Sequence, residues 1–320
     1  MSVWRSRHAA PALAGVLLCA SLLLGGCAAT PQLAQLELQW PTQLPERVLL
    51  DRVPFHPQDD NLCGPATLAM VAQAAGKSVT PEQLTPQVYL PGRQGALQLE
   101  MLAAARRQGL VAYPLAPSLQ AVLTEVASGH PVLVLQNLSL PISPMWHYAV
   151  VVGFDRDRRE ILLHSGTTAR MAMPLSTFEH TWARSDHWAF RVSPPTQLPA
   201  TAQPDAWASA VAPLERVNAR AAETAYATAL VAWPGHRISL LGLGNTAYAL
   251  GRREDAARAF ESTTQAHPDF ADAWNNLAQV RLELGQLGAA HQAASKAVAL
   301  GGPRLPGYRA LLDKIDAQRR

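Results

Sequence analysis

The sequence predicts an α+β domain followed by an all-α repeat domain, and three observations carry that expectation. Between residues 47 and 192 capped helical segments come first and β-branched runs come later, the order of a chain whose helical half precedes its sheet half. Residues 193–206 form an uncharged connector rich in proline. Beyond it residues 207–320 turn Ala-rich and repeat with a period of 34. A length of 320 residues suits two domains plus terminal segments, and 48% apolar against 16% charged residues excludes a wholly disordered chain. A net charge of only +3, with no basic run interleaved with aromatics, sets nucleic acid aside as a partner; Arg106-Arg107 and Arg252-Arg253 read as solvated helix or turn faces.

Residues 1–26 are set apart before any fold is considered. Arg5, Arg7 and His8 precede an apolar stretch from Ala9 to Leu24 that is too short to span a bilayer comfortably, which is the pattern of a signal peptide. Leu24-Gly25-Gly26-Cys27 directly after it resembles the bacterial lipobox. That resemblance implies a lipid on Cys27 as the new N-terminus, a lipidated linker over residues 27–46 and an envelope lipoprotein. Ala28 in place of Asp after the cysteine implies the periplasmic face of the outer membrane.

Of the three cysteines, Cys19 leaves with the signal segment and Cys27 carries lipid, so Cys63 remains as the one thiol. In an oxidising compartment it is either a buried small hydrophobe or a reactive group. Its setting favours the second. The extended, Pro-punctuated stretch Val53-Pro54-Phe55-His56-Pro57-Gln58 runs into a helix opening at Cys63-Gly64-Pro65-Ala66 and ending near Gly76. At a helix N-terminus, free backbone N–H groups and the dipole favour thiolate over thiol. Gln58, five residues earlier, can supply a side-chain amide beside a backbone N–H, the two donors an oxyanion needs.

The remaining elements of the first domain follow in order. Thr80-Pro81-Glu82-Gln83 has capping-box form and starts a second helix; Ala96 to Gln108, closed by Gly109, makes a third, and Ser118 to Ala127, ending at Gly129, a fourth. Strands are expected over 132–138, from His147 to Phe154, over 161–163, 171–173 and 188–192, with a short helix from Ser176 that carries Trp182. His147 opens the β-branched run, so its imidazole projects from the start of a rigid, buried strand and is the best-placed general base among ten histidines. Trp146 and Trp182 read as core aromatics first and as cleft lining second. Asp155 and Asp157 read as turn residues. His164, His180 and His187 lack the paired spacing of a zinc site, and no phosphate loop or G-x-S-x-G elbow occurs, so neither metal nor cofactor is expected.

Gln58, the Cys63-Gly64-Pro65-Ala66 helix start and His147-Tyr148, in that order, resemble the papain-like cysteine peptidases related to bacteriocin leader peptidases, over residues 47–192. The resemblance implies Cys63 as nucleophile, His147 as general base and acid, Gln58 as an oxyanion donor, and a peptide or protein substrate. The family usually places an Asp followed by Pro at the end of the strand after the histidine strand. Here that strand runs into His164-Ser165-Gly166, so Ser165 stands in the aspartate's place. A hydroxyl can hold the imidazole but brings no charge to stabilise the imidazolium.

In the second domain Gly251 and Gly285, Ala256 and Ala290, Leu243 and Leu277, and Pro234 and Pro268 repeat at 34, the tetratricopeptide length. Ala222, Tyr226, Ala229 and Pro234 look like the end of an earlier, degenerate unit. Such repeats imply a concave groove for a peptide or partner protein; a helical spacer is the alternative. Arg237, Asn245, Asn275 and Asn276 are the candidate groove residues. Together these readings give a lipid-anchored cysteine peptidase with a repeat domain. A catalytically weak scaffold, or a Cys-dependent acyltransferase or amidase, is the alternative.

Overall fold

The computed structural model describes residues 30–58 and 61–320; the signal segment and Cys27 lie outside the described residues. At its centre is a seven-stranded antiparallel sheet. Its order is β4 (Val111–Pro114), β9 (Ala189–Ser193), β5 (Val132–Asn137), β6 (Trp146–Asp155), β7 (Glu160–Ser165), β8 (Thr168–Pro174), with β1 (Arg47–Leu49) also paired to β6. The short hairpin β2 (Tyr89–Leu90) and β3 (Gly95–Ala96) stands apart from it.

β6 shows why the sheet is covered on both faces. Tyr148, Val150 and Val152 face one apolar layer, with α2 (Cys63–Ala74), α3 (Pro81–Val88) and α4 (Gln98–Arg107). Ala149 and Val151 face the other, with α1 (Pro31–Leu38), α5 (Leu119–Ala127) and α6 (Leu175–Ala183). A strand buried on both sides reads as the continuous apolar run seen in the sequence. The register with β7 slips between Val151 and Gly153, and this bulge inverts the alternation so that Phe154 joins the layer of Ala149 and Val151. Gly153 is where β1 crosses: a Cβ there would lie 2.4 Å from the Val48 carbonyl oxygen.

The expected helices and strands are present, with ends shifted by a few residues. Thr80 and Gln83 form the reciprocal capping box, and Ser118 caps α5 at the Ala121 N–H. Helix α1, strand β1 and strand β4 were not announced by the sequence pattern. α1 is docked by Glu179, a buried carboxylate on α6 that accepts the backbone N–H groups of Gln32 and Leu33 at 2.9 and 2.8 Å.

The Pro-rich segment is held against the sheet rather than left free. Glu125 and Arg191 are buried at 0% and 1% side-chain exposure and meet at 2.7 Å. The same carboxylate accepts from Thr201 through both its N–H and its hydroxyl at 2.7 Å. α7 (Pro204–Val211) then sets Trp207 into the sheet's core beside Tyr113, so α8 (Ala219–Ala232) joins the apolar cluster that holds α5 and α6. Removing one member of a buried ion pair leaves the other unpaired, so Glu125→Ala is expected to lower unfolding free energy by about 3–5 kcal/mol. Urea denaturation checks it; an unchanged midpoint would show that the clip contributes nothing.

The helical region goes on through α9 (Arg237–Ala249), α10 (Arg253–Ala266), α11 (Ala271–Glu283), α12 (Leu287–Leu300) and α13 (Leu305–Arg319), each packed on the next. Small residues permit the close approach the period implied: a Cβ at Gly244 would lie 2.3 Å from the Phe260 ring, one helix on.

Candidate active site

Cys63 is the first residue of α2. The chain enters through Asn61, whose φ of 75° makes the turn, and no side chain caps the helix at Leu62. The Thr67 hydroxyl bonds back to the Cys63 and Gly64 carbonyls at 2.6 and 3.1 Å, which secures the first turn from inside. Gly64 is required by contact: a Cβ there would sit 2.5 Å from the Ala96 side chain, so the segment leading into α4 presses directly on this turn.

The thiol is partly exposed, and the backbone N–H groups of Tyr148, Gly64 and Cys63 itself favour its ionised form. The helix opens beside β6: a Cβ at Gly64 would lie 3.8 Å from the Tyr148 ring, and His147 is the residue before Tyr148 on that strand. Burial pushes the thiol pKa up, and these N–H groups offset that only in part. The expectation that the helix terminus makes Cys63 a resting thiolate therefore meets an opposing and larger desolvation cost. Burial likewise lowers the His147 pKa, so both groups are driven toward their neutral forms.

His147 Nε2 lies 2.9 Å from Ser165 Oγ. Ser165 is the last residue of β7, two strands' pairing having brought it opposite the histidine strand, and it is itself buried. With Nε2–H donating to the hydroxyl, Nδ1 carries the lone pair and is free to accept the thiol proton. The bond supplies orientation without the negative charge of an aspartate. Asp155 is at the far end of β6, where its carboxylate accepts the Arg158 N–H at 3.0 Å and pairs with Arg47, as a turn residue does.

Gln58 is tied to the same place by its backbone, whose N–H donates to the Gly166 carbonyl at 3.0 Å. Its side chain is buried at 5% exposure, and neither Nε2 nor Oε1 has a hydrogen-bond partner among the described residues. A buried amide left unpaired costs stability and calls for a reason; a donor kept for a substrate oxygen is one.

His164 is a residue whose contribution the sequence did not reveal. Its Nε2 bonds to the Val53 carbonyl at 3.2 Å, its Nδ1 accepts the Arg170 N–H at 3.1 Å, and its ring packs on Phe55 at 5.2 Å. It thereby moors the extended segment that delivers Gln58. No local pattern marks this, because its partners lie far away along the chain. Of the two tryptophans weighed for a cleft, Trp182 is fully buried in the core and Trp146 is 51% exposed beside His147.

In the helical region three of the candidate groove residues are joined: Asn276 donates to Asn245 at 3.0 Å and Asn275 to Asn276 at 3.4 Å. Asn275 and Asn276 also line an open pocket of about 320 Å³ with Asp272, Arg304 and Tyr308. Arg237 is not in that group; its guanidinium lies over the Phe270 ring at 4.8 Å.

Comparison with known proteins agrees with this division. Residues 50–189 match the Peptidase C39-like family, and residues 214–252 and 241–304 match the tetratricopeptide repeat. Among solved structures, a C39-like peptidase candidate from Bacillus anthracis is 19% identical, with a TM-score of 0.40 over 46% of this chain and 96% of that one. The Sgt2 tetratricopeptide domain from Aspergillus fumigatus is 24% identical, with a TM-score of 0.33 over 36% of this chain and 78% of that one. No curated protein matches the chain. The chain thus carries an N-terminal Peptidase C39-like α/β domain built on an antiparallel sheet, followed by an all-helical tetratricopeptide-like region.

Proposed function

We propose that the N-terminal domain is a cysteine peptidase. The observation that carries this reading is the bond between His147 Nε2 and Ser165 Oγ, which orients the ring and leaves Nδ1 for the thiol proton, on the strand that packs against the helix opening at Cys63. In the first step the thiol proton passes to Nδ1 as sulfur bonds to the peptide carbonyl carbon. The Gln58 amide and the Cys63 backbone N–H receive the oxyanion. The His147 imidazolium then protonates the leaving amine as the C–N bond breaks, leaving a thioester. Water, deprotonated by His147, attacks the thioester; the acid departs and the Cys63 thiol is restored. Burial favours the neutral form of both groups, which supports proton transfer accompanying attack rather than preceding it.

The reading extends to location and partners. The lipobox-like Leu24-Gly25-Gly26-Cys27 supports lipid anchoring in the cell envelope, at the periplasmic face of the outer membrane. Among the described residues no helix is long and apolar enough to cross a membrane. The helical repeats support binding of a protein or peptide through the face that bears Asn245, Asn275 and Asn276.

The test is cleavage of a mixed peptide library by the intact chain and by Cys63→Ala, read by mass spectrometry. Products from the wild type and none from the variant are expected. Equal products from both, or none from either, would overturn the peptidase reading. An acyltransferase or amidase of the same chemistry would show itself by products carrying an added amine. One observation favours a weakly active scaffold instead: Ser165 offers no charge to the imidazolium. Restoring a carboxylate with Ser165→Asp is therefore expected to raise kcat/KM by about tenfold or more, since a charged partner stabilises the imidazolium that forms in the transition state. A lower rate in this variant would show that the site is built around the hydroxyl.

A further inference from the structure

Residues 138–146, the loop after β5 with the first residue of β6, read Leu-Ser-Leu-Pro-Ile-Ser-Pro-Met-Trp and contain no charged side chain. Five of its large apolar groups face solvent: Leu138, Leu140, Met145, Trp146 and, at 90% exposure, Ile142. Contiguous exposed apolar surface of this kind marks a binding site more often than chance. The loop ends at the base itself, because Trp146 precedes His147 in β6.

Its shape is fixed from below. Asn137, buried at 2% exposure, accepts the Ser139 and Met145 N–H groups through Oδ1 at 3.0 and 2.9 Å. The Leu138 N–H donates to the Met145 carbonyl at 2.9 Å, and Arg184 Nη1 donates to the Asn137 and Ser139 carbonyls at 3.1 and 2.7 Å. Pro141 and Pro144 restrict the tip further. A loop so tied spends little ordering on binding, which distinguishes it from a floppy surface segment.

Exposed apolar groups adjoin the nucleophile as well. Leu62 precedes Cys63, and Leu97 follows Ala96, whose side chain a Cβ at Gly64 would meet; both leucines are exposed. Large apolar groups therefore neighbour both Cys63 and His147 along the chain.

We propose that residues 138–146 are the specificity element of the candidate peptidase and that its substrate is a peptide segment with large apolar side chains flanking the scissile bond. This rests on the peptidase reading. An acidic or basic side chain in the same position would lose water against Ile142 and Met145 with no partner in the loop.

The experiment uses the intact chain, an Ile142→Glu/Met145→Glu variant, an Ile142→Ser/Met145→Ser variant, and Cys63→Ala. Two matched sets of fluorescent peptides are compared, one with Leu, Ile and Phe around a central bond and one with Asp, Lys and Ser. The wild type is expected to show at least about a tenfold higher kcat/KM on the apolar set. Both loop variants are expected to lose that preference, and Cys63→Ala to bind the apolar set more tightly than the polar one. Equal rates on the two sets, or an unchanged preference in the loop variants, would overturn the proposal and leave the peptidase reading intact. Tight apolar binding by Cys63→Ala with no cleavage by the wild type would support the loop's role while removing the peptidase reading. Loop-dependent sedimentation with phosphatidylglycerol vesicles, without any peptide preference, would overturn it in favour of a bilayer contact.

Discussion

His147→Ala is expected to lower kcat/KM by about 10²–10⁴-fold, the span over which a positioned general base and acid contributes. The pH profile carries the more specific prediction. His147 must be neutral to take the thiol proton, and burial holds its pKa below the ordinary histidine value. Wild-type kcat/KM is therefore expected to stay level as pH falls to the ordinary histidine range and to drop only below it, as the ring becomes protonated. In His147→Ala that acid limb disappears and the residual rate climbs with pH, following ionisation of a thiol whose pKa burial raises. The same sign applies to iodoacetamide: alkylation of Cys63 is expected to be slow near neutrality and to rise on the alkaline side. An unchanged acid limb in the variant would take His147 out of the reaction.

Gln58→Met is expected to lower kcat by about 10²–10³-fold with little change in KM, the loss seen when one oxyanion donor is removed. The same variant is expected to be more stable than the wild type. Gln58 is buried with both side-chain polar atoms unpaired among the described residues, and an unsatisfied buried group of this kind costs about 1–3 kcal/mol. Methionine matches the length and removes the cost. A fall in activity together with a higher urea midpoint is the signature of a group held ready for a ligand at the expense of the fold. A fall in both would show instead that Gln58 is structural.

These expectations depend on features of different visibility. The helix start at Cys63-Gly64-Pro65, the capping box at Thr80 and Gln83, and the alternation along β6 are local rules and were legible residue by residue. The 34-residue period was legible for the same reason: helix pairs that must approach closely repeat their small residues at fixed spacing, as Gly244 against Phe260 shows. β4 and α1 were not. Val111–Pro114 is a short strand whose partner is β9, about eighty residues on, and α1 is fixed by Glu179, 147 residues from Gln32 in the chain. The burial of Trp182 agrees with the core reading of the sequence, whereas the exposure of Trp146 escaped it, since a pattern treats the two tryptophans alike.

The sequence by itself determined the two-part architecture, the residue types of the candidate site and the absence of a carboxylate where Ser165 stands. Those follow from short-range periodicity, capping and motif order, which are written along the chain. Only the tertiary structure decided that Ser165 meets His147 at Nε2, that Gln58 is delivered unpaired by Gly166 and His164, and that burial drives thiol and imidazole toward neutrality. These last are sums of contacts between segments far apart in sequence, and desolvation is a property of everything that surrounds a group rather than of its neighbours in the chain.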